Sequence, residues 1–204
     1  MARSTASLWV RDIALDEAQR AALDEADPVK SRRRTGQLAW SRVTREARIA
    51  AQWDGRRRAS EGSPLHHAGC MLYWAEGSKH RNHVTFTNAD VGMVRFFVRF
   101  LRECYGVEDA RIALSVNCHL GNGLSVDEIQ AWWLEQLGLP SSCLRAPAVN
   151  RASRASKRVR RPLIYGTARI VVHSTFIVQS IYGAIQEYAG FSRPEWAELG
   201  LSRA

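Results

Sequence analysis

From Pro64 onward, stretches in which apolar residues recur every three or four positions alternate with shorter stretches in which they recur every second one. Leu65 to Ala75 is apolar almost all round (Ala68, Cys70, Met71, Leu72, Tyr73, Trp74) and predicts a helix buried on most sides. His83 to Asn88 predicts a short strand. Asn88-Ala89-Asp90 then caps a long helix from Val91 to Tyr105, with Val94, Phe97, Leu101 and Cys104 on one face and Arg95, Arg99 and Arg102 on the other. Gly106 stops it, and Ala110 to Cys118 follows as a strand with Ile112, Leu114 and Val116 pointing one way. Gly121-Asn122-Gly123 turns the chain into a helix opened by Ser125, with Glu128 at the capping-box position, Ile129, Trp132, Trp133 and Leu137 inside, and Gly138 and Pro140 at its end. Leu144 to Asn150 reads as an edge strand because of Pro147. Ile164 to His173 reads as a strand through Ala168, Ile170 and Val172, and Phe176 to Tyr188 as a helix through Ile177, Ile181 and Ile185. The resulting order, helix, strand, helix, strand, helix, one or two strands, helix, is that of an α+β domain.

The front of the chain is different. Residues 4–26 read as helical with a break at Ile13-Ala14-Leu15, after which Asp16 and Glu17 open a second helix. Pro28 to Ser60 is polar and basic: ten Lys and Arg residues, among them Arg32, Arg33, Arg34, Arg56, Arg57 and Arg58, face only Glu46 and Asp54, and Leu38, Val43, Ala47 and Ile49 form a thin apolar stripe. A second acid-free basic run holds Arg151, Arg154, Lys157, Arg158, Arg160 and Arg161. The net charge of +9 favours a polyanionic partner, because cations that meet phosphates release condensed counterions. Only three of the 29 basic residues are lysines, so the preference for arginine carries no weight of its own; the placement of charge does. The four cysteines stand far apart without a Cys-x-x-Cys pair, which suits reduced thiols. His66, His67 and Cys70 fall short of a tetrahedral metal set. No apolar run reaches the length that spans a bilayer, so no membrane partner is expected, and the cytoplasm, or the nucleoid when DNA is bound, is the expected location.

The most informative segment is Ala75-Glu76-Gly77 at the end of the apolar helix, followed by Val84 to Phe86 and then Asn88-Ala89-Asp90. A carboxylate at a helix C-terminus opposes the dipole and calls for a compensating role. A packed helix that ends in a small residue, an acid and a glycine, then a strand leading into Asn-x-Asp, resembles the LAGLIDADG homing-endonuclease family. Tyr165 to Tyr188 is similar to that family's last strand and helix. The resemblance covers roughly residues 64–190. It implies an αββαββα-type domain with an inserted helix, Ser125 to Leu137. It also implies that Glu76 is the catalytic carboxylate and Mg²⁺ ligand, and that a homodimer brings two such motifs together, since this chain has one. Met71 stands where the family has an interface glycine. The alternative for Glu76 is an ion pair with Lys79 or Arg81.

Ala2 to Asp12, with Arg3, Ser4, Thr5 and Ser7, resembles the recognition helix of a resolvase or transposase helix-turn-helix, lacking the helices before it. The expected organisation is therefore 1–27 N-terminal helices with that remnant, 28–63 a basic helical linker, 64–192 the LAGLIDADG-like domain and 193–204 a tail. Arg32 to Arg34, Arg56 to Arg58, Lys79, Arg81 and the run from Arg151 to Arg161 are the expected contacts to double-stranded DNA. Two functions stay open: a sequence-specific DNA-binding protein, regulatory and without cleavage, and a Mg²⁺-dependent homodimeric endonuclease using Glu76. An RNA-binding module is disfavoured for lack of an aromatic stacking platform on a strand.

Overall fold

The computed structural model describes residues 16–119, 123–150 and 163–199 of the 204. The chain divides into two compact units, Met1–Thr44 and Arg45–Ala204, and the division falls inside a helix.

In the first unit, helix α1 (Glu17–Ala26) is opened by Asp16, whose side chain accepts from the Gln19 amide while the Gln19 side chain accepts from the Asp16 amide. This reciprocal cap stabilises a helix end by about 1 kcal/mol. Helix α2 (Pro28–Ser60) follows after one residue and enters the second unit at Arg45. Leu38 and Val43, expected on an inward stripe, are exposed together with Trp40.

The second unit holds the rest of α2, then α3 (Pro64–Glu76), β1 (Val84–Asn88), α4 (Val91–Tyr105), β2 (Ala113–His119), α5 (Val126–Leu137), β3 (Ala148–Asn150), β4 (Thr167–Val172) and α6 (Thr175–Ala189). The fold is α+β, as the periodicities predict. The sheet runs in the order β1-β4-β2-β3. β4 lies between β1 and β2 and is antiparallel to both, with Phe86 opposite Ile170 and Leu114 opposite Ile170. β2 and β3 are parallel, which requires a crossover between them, and α5 belongs to it. One face of the sheet is the core: Val84, Phe86, Leu114, Val116, Cys118, Ala168, Ile170 and Val172 are buried against Phe97, Leu101, Ile129, Trp133, Val178, Ile181 and Tyr182. Burial of each such side chain is worth about 1.5–3 kcal/mol.

Local signals place the helix ends. Asp90, Ser125 and Ser174 cap α4, α5 and α6, and Gly106, Gly138 and Gly190 leave them in the left-handed conformation. Four elements differ from expectation: β2 starts at Ala113 rather than Ala110, because Asp109–Arg111 forms a helical turn, β3 covers only Ala148–Asn150 of the expected Leu144–Asn150, and α3 and β4 depart as follows. α3 is buried on one side only, through His66, Gly69, Cys70 and Tyr73, while Ala68, Trp74 and Ala75 are exposed. β4 starts at Thr167 rather than Ile164, because Gly166 closes a turn on Leu163 with φ +63°, and a Cβ there would lie 2.1 Å from the Asn117 carbonyl oxygen.

The second half of α2 is part of the main core. A Cβ on Gly55 would lie 1.8 Å from the Ser180 carbonyl oxygen, and one on Gly183 would lie 1.9 Å from that of Gln52, so α2 and α6 approach backbone to backbone. Between them Gln52 donates to Gln179 at 2.7 Å, and Gln186 donates to Gln52 at 3.4 Å. Buried amides satisfied in this way fix one register, since a slide would strand them.

Candidate nucleic-acid interface

The strand alternation that buries one face of the sheet turns Thr87 on β1, Thr167, Arg169 and Val171 on β4, and Ala113, Ser115 and Asn117 on β2 to the other face. Across the strands, Thr87, Arg169 and Ser115 stand in one row and Thr167 and Asn117 in the next. Thr87 and Arg169 are exposed and the others named are partly accessible, whereas Thr85, which shares the face in register with Val171, is buried. No carboxylate occupies these positions. Hydroxyls, an amide and a guanidinium in two dimensions can meet both phosphates and base edges. Sequence reasoning missed this face by searching for charge runs; the readable signal was the polar half of each strand's alternation.

At one end of the same face three histidines converge. Val84 pairs with Val172, so His83 and His173 follow as neighbours at the sheet's end, with ring centroids 5.7 Å apart. His80, on the loop before β1, stacks on His83 at 4.2 Å. Partial burial holds the His83 pKa below the usual imidazole value, and His80, His173 and Arg169 push it the same way.

Glu76 is the last residue of α3 and is exposed, with no hydrogen-bond or ion-pair partner among the described residues. Lys79 does not pair with it. Its ammonium donates to the carbonyls of Tyr73 at 3.2 Å, Trp74 at 2.9 Å and Gly77 at 2.6 Å, and lies 5.5 Å from the Tyr73 ring centroid. Burial lowers its pKa. Lys79 therefore caps the C-terminus of α3 and offsets the dipole that an acid at that end opposes. Arg81 lies on the next loop, its carbonyl accepting from Gln179 and its side chain unpaired among the described residues.

The other expected contacts divide into two groups. Arg3, Ser4, Thr5, Ser7, Arg151, Arg154, Lys157, Arg158, Arg160 and Arg161 lie outside the described residues, as does the turn residue pair Gly121-Asn122. Arg32, Arg33 and Arg34 fall on α2, with side chains outside the described part. Arg56, Arg57 and Arg58 are engaged internally: Arg56 with Gln186 and Glu187, Arg57 with Asp54 and Glu61, Arg58 with Asp54 and the Cys104 carbonyl. Burial raises the Asp54 pKa, but hydrogen bonds and charge from Arg58 and Arg57 outweigh it and leave the carboxyl below its ordinary value. Arg102 likewise pairs with Asp109 and reaches the end of α5.

His66 and Cys70 are core residues: the His66 ring nitrogens meet the hydroxyls of Tyr188 at 2.9 Å and Tyr105 at 3.1 Å. All four cysteines are free thiols. Among the described residues, no three His, Cys, Asp or Glu side chains are grouped so as to hold a metal ion, and no helix is long and apolar enough to cross a membrane. No family model, curated protein or solved structure matches the chain.

Proposed function

We propose that this protein binds double-stranded DNA sequence-specifically, with the open face of the sheet against the duplex, and acts without cutting it. The observation that carries the reading is the acid-free polar face formed by Thr87, Arg169, Ser115, Thr167 and Asn117. Strands laid in a groove present alternate side chains to the base edges: Arg169 suits guanine O6 and N7, Asn117 suits adenine N6 and N7, and the threonines supply hydroxyl and methyl contacts. The net charge of +9 adds phosphate affinity that any duplex shares. The Ala75-Glu76-Gly77 motif suggests a LAGLIDADG-like domain, but setting α5 aside as the inserted helix leaves the order α-β-α-β-β-β-α from α3 to α6, which departs from αββαββα, so the motif alone carries that resemblance.

The endonuclease reading draws on exposed, unpaired Glu76. Among the described residues of one chain, the donor set at Glu76 does not fit a divalent ion, since it offers one carboxylate beside carbonyls already taken by the Lys79 ammonium. Cleavage would need the equivalent carboxylate of a second copy.

The test is duplex binding from a randomised library at several salt concentrations, together with plasmid cleavage with and without Mg²⁺, for the parent, Arg169→Glu and Glu76→Gln. Selective retention without cleavage is expected. Arg169→Glu should weaken binding at least about tenfold and relax the preference at one base position. Glu76→Gln should bind as well as the parent or better. Mg²⁺-dependent cleavage lost in Glu76→Gln would overturn the non-cutting reading in favour of the nuclease, and no retention at low salt would overturn DNA binding altogether.

A further inference from the structure

His83 has the His80 ring centroid at 4.2 Å on one side and the His173 centroid at 5.7 Å on another, on a face that also carries Arg169, so basic groups crowd it. Partial burial and the neighbouring basic groups raise the cost of protonating His83, whose pKa lies below the ordinary imidazole value. An anion reverses the balance, because it favours the charged form of every ring it touches. We infer that His80, His83 and His173 form a proton-operated site for a phosphodiester group of the DNA backbone, at the end of the sheet face that reads the bases. This rests on the DNA-binding reading above and adds to it that binding takes up protons.

The surroundings of the cluster support the assignment. The described groups that act on His83 are His80 from the loop before β1, and His173 and Arg169 from β4 and its end; all are basic. Lys79 and Arg81 lie on the same loop as His80, and the Lys79 ammonium is held by the α3 carbonyls. From α6, Tyr182 donates its hydroxyl to the His80 carbonyl at 2.9 Å, and burial pushes its pKa up, so it stays protonated through the neutral range. Among the described residues, no carboxylate acts on His83. The two contacts from α6, Tyr182 to His80 and Gln179 to the Arg81 carbonyl, fix the loop and so keep His80 over His83. By linkage, a ligand that raises imidazole pKa values binds more tightly as pH falls.

The experiment uses the full-length chain, a labelled duplex recovered from the library selection, and fixed ionic strength from pH 8 to pH 6. The parent should gain at least about tenfold in affinity over that range, since each proton taken up contributes up to about tenfold per pH unit. The variant His80→Gln/His83→Gln/His173→Gln, whatever its affinity at pH 8, should change less than about twofold across the range. A second measurement needs no variant: imidazole resonances of the three rings, followed by NMR in the free protein and with saturating duplex, should show the His83 pKa rising on binding.

Tight binding with no pH dependence, or with the same dependence in the triple variant, would overturn the histidine site and leave the DNA reading standing. Absence of duplex binding at every pH would overturn both. A rise in the His83 pKa with inorganic phosphate but none with duplex would overturn the assignment to the DNA backbone.

Discussion

At the scale of single residues, the positions that matter most for folding are those where a backbone comes close. Gly183 faces the Gln52 carbonyl at a distance that no Cβ tolerates, with backbone rather than a flexible side chain on the other side. Gly183→Ala should therefore force α2 and α6 apart and destabilise the protein by about 2–3 kcal/mol, read as a lower urea midpoint at unchanged m-value. Sequence alone does not reveal this: Gly183 stands mid-helix among apolar residues, and its partner is 131 positions away in the chain. The caps, by contrast, were legible. Asp90, Ser125 with Glu128, Gly106 and Gly138 act within five residues of themselves, and they stand where the sequence puts them. The pairing of Arg57 and Arg58 with Asp54 was equally local, at three and four residues, and the count of basic residues in that segment hid it.

Among the elements, α3 has an unpartnered side. Leu65, Ala68, Leu72 and Ala75 follow one another at spacings of three, four and three, which brings them onto one line of the helix; the two alanines are exposed and the two leucines half-buried. The all-round burial expected for this helix is half met within the chain, since the apolar pattern is the same whether its partner is another part of the chain or another copy. A homodimer through this line would also bring two Glu76 carboxylates toward one another. Light scattering should give a dimer for the parent at micromolar concentration and a monomer for Ala68→Arg/Ala75→Arg with an unchanged circular dichroism spectrum. A monomeric parent would rule this seam out. The sheet face was less legible than the helices, because a strand's outward residues carry meaning only once the pairing of β1, β4 and β2 is known, and pairing register is a long-range property.

For the molecule as a whole, stability should depend on pH through the buried His66. Burial lowers the His66 pKa, the Arg58 and His67 charges add to that, and Glu61 and Asp54 oppose it. A base whose folded pKa lies below its unfolded value binds more protons unfolded, so the stability attached to neutral His66 is complete above about pH 6.5 and is lost as pH falls from there toward the folded value. Urea midpoints should be flat from pH 8 to pH 7 and drop between pH 6.5 and pH 5, with a contribution of the same sign from His83. His66→Gln should flatten most of that slope. A slope unchanged in this variant would assign the effect elsewhere.

The short parallel strand β3 stands last in the order of the sheet. An unpaired strand edge is a template on which a second sheet can grow, and long, flat, hydrophobic edges are where soluble proteins begin to aggregate. This one is three residues long, is entered through Pro147, which has no amide hydrogen to offer, and runs directly into Arg151, Arg154 and the basic stretch beyond. The shortness of the strand and the proline at its entry leave little edge for a second molecule to extend, and the acid-free run that follows in sequence adds like charge, of the kind that flanks aggregation-prone strands as a gatekeeper.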